Sequence, residues 1–482
     1  MTEAGLRKEA MARGFSTLRL FKRFCDSTQV DTILAVATSA VREVANGPAF
    51  VEWVECEIGI SLQVLDGECE AYYDTIGALN DMPMQQGFVI DIGGGSVQVS
   101  EVRDGHFYRG ESLTLGALAL TERFVRNDLA NKSEIKTIQS EIDRQLDMVG
   151  WLRKVKQGNP LVRLGGTIRN LASIEVMRQS YPLHTFHGFA LSRVSVEKSI
   201  DEFRKLPLDK WMQIPGIHSD RADIILPGAV VLASLVERLG SDKVAISVDG
   251  LREGVFFEHF WQHLAYPVIP DVRRFSVLNL ARSYQYQEQH SNHVRFLAGR
   301  LFDQLVPLHG YNLLERELLD AAALLHDVGR IIGYAGHHRH SQTLVEYNGL
   351  PGFSPREIAL IASLVRYRRK GDPEMVDYGA LLDDGDEARI LRLSAILRLA
   401  EWLERGRNAA VDDVIVTWTD DALRLTLIAD EYPAVELWQA ERNAALLLGE
   451  AFERHVILDS VAAPIAWPDM EEVLADKAAS ED

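Results

Sequence analysis

The stretch Gly87-Phe-Val-Ile-Asp-Ile-Gly-Gly-Gly-Ser-Val-Gln-Val-Ser-Glu-Val102 decides how the first half of this chain is read. Gly87 to Ile92 is an apolar run suited to a strand. Val97 to Val102 alternates and reads as the returning strand of a hairpin. Between them, Gly93, Gly94, Gly95 and Ser96 form the turn. Three glycines allow backbone angles closed to other residues and let a phosphate approach the main chain. Successive N–H groups in such a turn make a concave anion site. Asp91, at the end of the inward strand, could hold a magnesium ion against that phosphate. A plain hairpin turn with structural glycines would explain the same residues.

Outward from the hairpin, strands and helices mix. Residues 6 to 24 carry apolar positions at helical spacing, and Asp31 to Ala37 suits a short buried strand. A helix is expected from Val41 to Ile58, a strand from Ser61 to Leu65 and a helix from Glu68 to Leu79. After the hairpin, Arg103-Asp-Gly105 is a turn into another strand. Leu161 to Leu164 leads into a second glycine turn, Gly165-Gly166-Thr167, which opens a helix and so offers another anion-friendly N-terminus. This texture is α/β. After Arg273 it changes. From His290 to Glu404 nearly every segment has helical periodicity, broken at Gly310, Gly336 and Gly352, with Pro267 and Pro270 marking a linker. Residues 412 to 430 read as a strand pair, and the tail from Ala475 as frayed.

Bulk properties narrow the function. The chain has 482 residues, 47% hydrophobic and 25% charged, the balance of a folded soluble protein. No apolar run is long enough for a bilayer, and the charged start, Met1 to Arg23, reads as an amphipathic helix and not as a signal peptide. Cys25, Cys56 and Cys69 match no zinc or redox spacing, which points to a reducing cytoplasm. The formal charge is 51 − 70 = −19, which argues against a general nucleic-acid binder. Such a field also repels anionic substrates. A phosphate site must then be local, built from N–H groups, a few arginines and a divalent cation.

Glu70 lies at a helix start, where it could simply complement the helix dipole or orient and deprotonate an attacking water. His326-Asp327 follows the apolar helix Leu318 to Leu325, with His290, His337, His338 and His340 nearby in sequence. Clustered His and Asp suggest a metal site.

Taken in order, these segments resemble the exopolyphosphatase and guanosine pentaphosphate phosphatase family. The matching stretches are Val36 to Arg42, Gly67 to Ala71, Asp91 to Ser96, Leu115 to Phe124, Gly165 to Thr167, Pro215-Gly216 with Arg221 to Asp223, and Gly250 to Gly254. They continue through Ala323 to Gly329, Gly336 to Ser341 and Leu364 to Lys370. The resemblance implies an actin-like, sugar-kinase-type (ribonuclease H-like) ATPase fold of two subdomains, residues 1–72 (truncated) and 73–268. An all-α HD-type domain over 271–410 and a small α/β segment over 411–482 would follow. It implies removal of the terminal phosphate from inorganic polyphosphate, or conversion of guanosine pentaphosphate to tetraphosphate, with magnesium. Glu70 would direct the water, Asp91 place the metal, Gly93 to Ser96 cradle the phosphates, and Arg42 face the same cleft. A homodimer is implied as well.

By the same resemblance, His290, His326 and Asp327 would be the metal residues of the HD-type domain, with Glu401 where an Asp is expected. Retention of the pair for helix packing is the plainer reading. His338, Arg339, His340, Arg368, Arg369 and Lys370 could line a channel for a long phosphate chain, since arginine pairs its planar fork with phosphate oxygens. A solvated basic helix end would account for Arg366 to Lys370 equally well.

The family's chains normally begin with a strand and an earlier phosphate loop, Asp-x-Gly-Ser-Asn-Ser. Here the sequence opens in the helix expected after it. Either Met1 is an internal methionine or half of the phosphate clamp is missing. The second case would weaken catalysis, leave apolar faces uncovered, and favour a degenerate regulatory protein that binds polyphosphate or a nucleotide without turnover.

Overall fold

A computed structural model describes residues 5–126, 132–155, 160–219, 221–369, 371 and 378–464. The chain packs as two compact units. The first comprises the chain through Tyr181 with Phe186–Arg273 and Pro351–Ser354; the second takes Pro182–Thr185, Arg274–Leu350 and the chain from Pro355 on.

In the first unit, α1 (Lys8–Ser27) precedes β1 (Ala35–Ala37), which pairs in parallel with β2 (Leu62–Val64). The single helix expected between them is two, α2 (Ser39–Arg42) and α3 (Gly47–Ile58). Pro48 is the reason: proline is accepted in a helix's first turn and not inside it. The Asn46 side chain is also drawn away to accept from the Leu6 N–H at 2.7 Å. Leu20, Phe21 and Phe24 of α1 stand exposed.

The long helix α4 (Gly67–Asp81) leads into the hairpin of β3 (Gln86–Ile92) and β4 (Val97–Arg103), followed by β5 (His106–Leu113), α5 (Ala117–Phe124) and α6 (Lys132–Met148). Then come β6 (Leu161–Leu164), α7 (Gly166–Gln179), β7 (Ala190–Ser192), α8 (Arg193–Phe203), α9 (Leu208–Trp211), α10 (Ile225–Arg238), β8 (Lys243–Ile246) and α11 (Leu251–Phe260). The six strands form one mixed sheet in the order β5-β4-β3-β6-β8-β7, with β3, β6 and β8 parallel. Successive side chains of a strand point to opposite faces. Phe88, Ile90 and Ile92 of β3 therefore join the main core, which includes the buried face of α10, while Val89 packs with Ala78 and Leu79 of α4. Asp91 shares the parity of Val89, so it faces the side that α4 covers. Helices α4 and α11 cross very closely: a Cβ at Gly77 would collide with the Gly250 carbonyl, and one at Gly254 with that of Tyr73.

The second unit begins in α12 (Val272–Ser283) and continues through α13 (Glu288–His309), α14 (Leu313–Leu325), α15 (His337–Asn348), α16 (Pro355–Tyr367) and α17 (Asp386–Leu403). Asn312 and Glu315 form a capping box at the start of α14. Gly310, at φ 70°, closes α13. The expected strand pair is β9 (Asp413–Trp418) and β10 (Ala422–Ile428). After α18 (Ala434–Asn443) and α19 (Ala445–Phe452), a third strand that the sequence reading missed, β11 (His455–Ser460), joins β10 in parallel. Parallel strands need a crossover connection, so no tight turn signals the pairing. Among the described residues no helix is long and apolar enough to cross a membrane.

Candidate functional site

Asp66 starts the site. Its carboxylate accepts the Cys69 N–H at 2.8 Å and so caps α4. The helix then carries Glu70 and Asp74 one turn apart on one side. Glu70 is buried, and Arg42 Nη1 donates to its Oε2 at 2.5 Å and to the Leu65 carbonyl at 2.7 Å. Burial pushes the Glu70 pKa up, against the pull of Arg42 and Thr38. Burial and the Glu70 charge push the Asp91 pKa up to about 6, while Arg169 and Arg221 act in the opposite sense. Asp74 is raised well above the usual carboxylate range, by burial first and then by Asp91 and Glu70. The Leu251 N–H eases this without meeting hydrogen-bond geometry. Both Asp74 oxygens and Asp91 Oδ1 are buried with no hydrogen-bond partner among the described residues. Three carboxylates thus act on one another in an interior with few cations.

The glycine turn is fastened by its carbonyls. Gly93 O accepts from Ala117 N at 3.0 Å, Gly94 O from Leu118 N at 2.9 Å, and Gly95 O from Gly116 N at 3.3 Å. The N–H groups of Gly94 and Gly95 make no backbone hydrogen bond among the described residues. Ser96 Oγ is buried and accepts from Gln98 Nε2 at 2.9 Å. One expectation is corrected: none of Gly93, Gly94 and Gly95 has a positive φ. The backbone freedom is used at Gly165 instead, at φ 98°, where a Cβ would collide with Asp91 Oδ1. A Cβ at Gly166 would collide with the Arg221 guanidinium. The second glycine turn therefore lets the start of α7 press against Asp91 and Arg221. Thr167 is a further correction. It is fully enclosed, with its methyl against Gly228 of α10 and its Oγ1 buried with no hydrogen-bond partner among the described residues.

A cleft of about 150 Å³ opens at Asp91 and Gly165, lined also by Arg169, Ser247, Asp249 and Glu253; Glu70, Asp74 and the Gly93–Ser96 turn are not in its lining. Burial, then Asp81 and Glu253, push the Asp249 pKa up to about 7. The sequence reading missed Asp74, Arg169, Arg221 and Asp249 as site residues. Asp74 could have been found from its spacing of four after Glu70. Arg221 sat inside a segment already singled out, and Arg169 lies two residues beyond the second glycine turn.

The second unit has its own buried cluster. His290 Nε2 lies 3.2 Å from His326 Nε2, and His326 Nδ1 bonds the Ala323 carbonyl at 2.6 Å. One ligand atom from each of His290, His326 and Asp327 falls within 4.8 Å of the others. Asp327 is heavily engaged, however. Arg368 Nη2 donates to its Oδ1 at 2.5 Å, Arg407 and Arg330 donate to its Oδ2, and His337 Nε2 stands 3.2 Å from Oδ1. Burial would raise the Asp327 pKa, but His326 and Arg368 hold it well below the usual range.

The expected channel residues are not all at the surface. Arg368 is fully buried between Asp327 and Glu401, so it lines no channel. His338 is buried too, and its pKa falls to about 4 through burial and the neighbouring Arg366 and Arg368. Arg339 is exposed, His340 and Arg369 are half-buried, and Lys370 lies outside the described residues.

Residues 1–263 match the family model described as Ppx/GppA phosphatase family, and residues 272–441 match that of Ppx/GppA phosphatase, domain III. A guanosine-5'-triphosphate,3'-diphosphate pyrophosphatase of Pseudoalteromonas translucida (strain TAC 125) is 25% identical over 461 residues, 92% of this chain and 88% of its own. An exopolyphosphatase from Cytophaga hutchinsonii, 22% identical, superposes with a TM-score of 0.51 over 54% of this chain and 85% of its own, which shows a shared fold. The Aquifex aeolicus family member is 26% identical, with a TM-score of 0.47 over 54% of this chain and 84% of its own. Since the first family model alone spans more than half of the 482 residues, the chain belongs to the Ppx/GppA phosphatase family.

Proposed function

We propose that this chain hydrolyses the terminal phosphoanhydride of inorganic polyphosphate, releasing phosphate, at the cleft beside Asp91. The observation that carries this is the trio Glu70, Asp74 and Asp91, buried carboxylates with oxygens of Asp74 and Asp91 left unpartnered. Hard oxygen donors of this kind suit magnesium, so Asp91 and Asp74 would hold the ion. Bound there, magnesium supplies positive charge against the phosphate oxygens. The N–H groups of Gly94 and Gly95 and the guanidinium groups of Arg169 and Arg221 would bind and orient the terminal phosphates. Glu70 would take the proton from the attacking water, and Arg42 would hold it ionised and aimed. Phosphoryl transfer to water needs positioning and charge neutralisation more than covalent chemistry, and these parts suffice.

Guanosine pentaphosphate is the second reading, favoured by the name of the Pseudoalteromonas relative. The bond broken is of the same kind. The helical unit would be HD-type in its arrangement, and Arg339, His340 and Arg369 remain candidates for guiding a phosphate chain. The test compares magnesium-dependent phosphate release from long polyphosphate and from guanosine pentaphosphate, using the wild type and Glu70→Gln. Faster turnover of polyphosphate, abolished by Glu70→Gln, supports the first reading. Preference for the nucleotide selects the second. Tight binding without turnover of either would overturn both in favour of a regulatory binding protein.

A further inference from the structure

We propose that Arg368 is the built-in cation of the His-Asp centre in the helical unit. It occupies Asp327 Oδ1, an oxygen that a divalent metal on His290 and His326 would call on, and it makes the centre a structural node and not a second hydrolytic site. The guanidinium is fully buried, and so are both carboxylates that flank it. Its Nη2 bonds Asp327 Oδ1 at 2.5 Å, and its Nη1 stands 3.3 Å from Glu401 Oε1. Arg405 adds a contact to the same Glu401 oxygen at 3.0 Å. A buried arginine survives only when its charge is met by fixed partners. Here the partners come from the end of α14 and from α17, the elements that bring His326 and Glu401 together.

A metal held by His290 and His326 would also need an oxygen of Asp327. A carboxylate has about four lone-pair sites. Three of those of Asp327 take guanidinium hydrogen bonds, from Arg368 on Oδ1 and from Arg407 and Arg330 on Oδ2, and His337 Nε2 stands 3.2 Å from Oδ1. A metal would have to displace one of them and would sit among three guanidinium groups of its own sign. The two imidazoles are spaced as ligands, but the carboxylate is spoken for. The donor set does not fit a divalent ion while Arg368 is in place.

Cobalt(II) is the probe, because nitrogen ligation gives it a visible absorption that carboxylate ligation at the other unit does not imitate. Wild type, Arg368→Met, and Arg368→Met combined with His326→Ala are each titrated, with folding followed by circular dichroism. The expected result is no nitrogen-ligated signal in the wild type. Arg368→Met should gain one equivalent, with affinity raised on the order of 10–100-fold, and His326→Ala in that background should abolish it. If the wild type takes up one equivalent of histidine-ligated cobalt that His326→Ala removes, the proposal is wrong. A folded Arg368→Met that gains nothing overturns it as well. The wild-type titration decides even where the Arg368 variant fails to fold.

Discussion

The carboxylates around Asp91 and those around Asp327 are buried alike, yet their charges are handled in opposite ways. Asp74 is 1% exposed and Asp327 5%, so desolvation is comparable. Among the described residues, Arg42 is the one guanidinium bonded to the trio of the first cluster, through Glu70, and oxygens of Asp74 and Asp91 have no hydrogen-bond partner. In the second, every oxygen of Asp327 meets a guanidinium. The Asp91 pKa is accordingly pushed up to about 6, and that of Asp327 is held down. The difference teaches that burial of charge does not identify a reactive site. Unpaired charge beside a cleft does, because it is a standing cost that a substrate and its cation can relieve. Asp327, with guanidinium groups on both of its oxygens, has little left to offer a ligand.

The comparison is broken most directly by changing one carboxylate in each cluster. Glu70→Gln should lower kcat for phosphate release on the order of 10²–10⁴-fold, the span of general-base catalysis, while unfolding midpoints hold steady. Loss of the fold in place of loss of turnover would make the first cluster structural. Asp327→Ala should do the reverse. It strands Arg368 in the interior and should cost about 3–5 kcal/mol in denaturant unfolding. A change under about 1 kcal/mol there would mean that Arg368 is not held by this pairing.

Asp91→Asn sharpens the contrast through its sign. The folded pKa, about 6, lies above the ordinary 3.8. The folded state therefore binds the proton more tightly, and stability falls as pH rises from about 4 to about 6. The cost is absent below the unfolded pKa and complete above the folded one. Asn removes it, so the variant should gain on the order of 3 kcal/mol near pH 8 and almost nothing near pH 4, while losing activity. Unfolding curves at the two pH values check this. The smallest effect is expected from Arg42→Met. Without the guanidinium, the Glu70 pKa should rise further, and the acid limb of the kcat profile should move to higher pH. A profile that moves the other way would separate Arg42 from Glu70.

Much of the first site was legible in the sequence. The β3–β4 hairpin followed from alternation flanking a glycine turn, and a helix was expected from Glu68 to Leu79, where α4 runs. Asp91 and the second glycine turn were singled out from the residues, and Glu70 as the base only through the family resemblance. Asp74 was not, because a carboxylate within a helix ordinarily reads as solvent-facing. Only the cover of the sheet by α4 and α11 puts it inside. The left-handed backbone expected within Gly93–Gly95 is found at Gly165, where Asp91 Oδ1 leaves no room for a Cβ. Arg368 was misplaced for a similar reason. A run such as Arg366-Tyr-Arg-Arg-Lys370 looks like a wet helix end, and nothing local says that one of its members turns inward.

What the sequence by itself determined was local and chemical: the period-two strands, the helix caps and breaks, and the residue types able to hold phosphate or move a proton. The tertiary structure decided which charges lost their water and which of those found partners. That division has a physical cause. Backbone preference acts over a few neighbouring residues, whereas desolvation and ion pairing depend on every element packed around a group, wherever in the chain it originates.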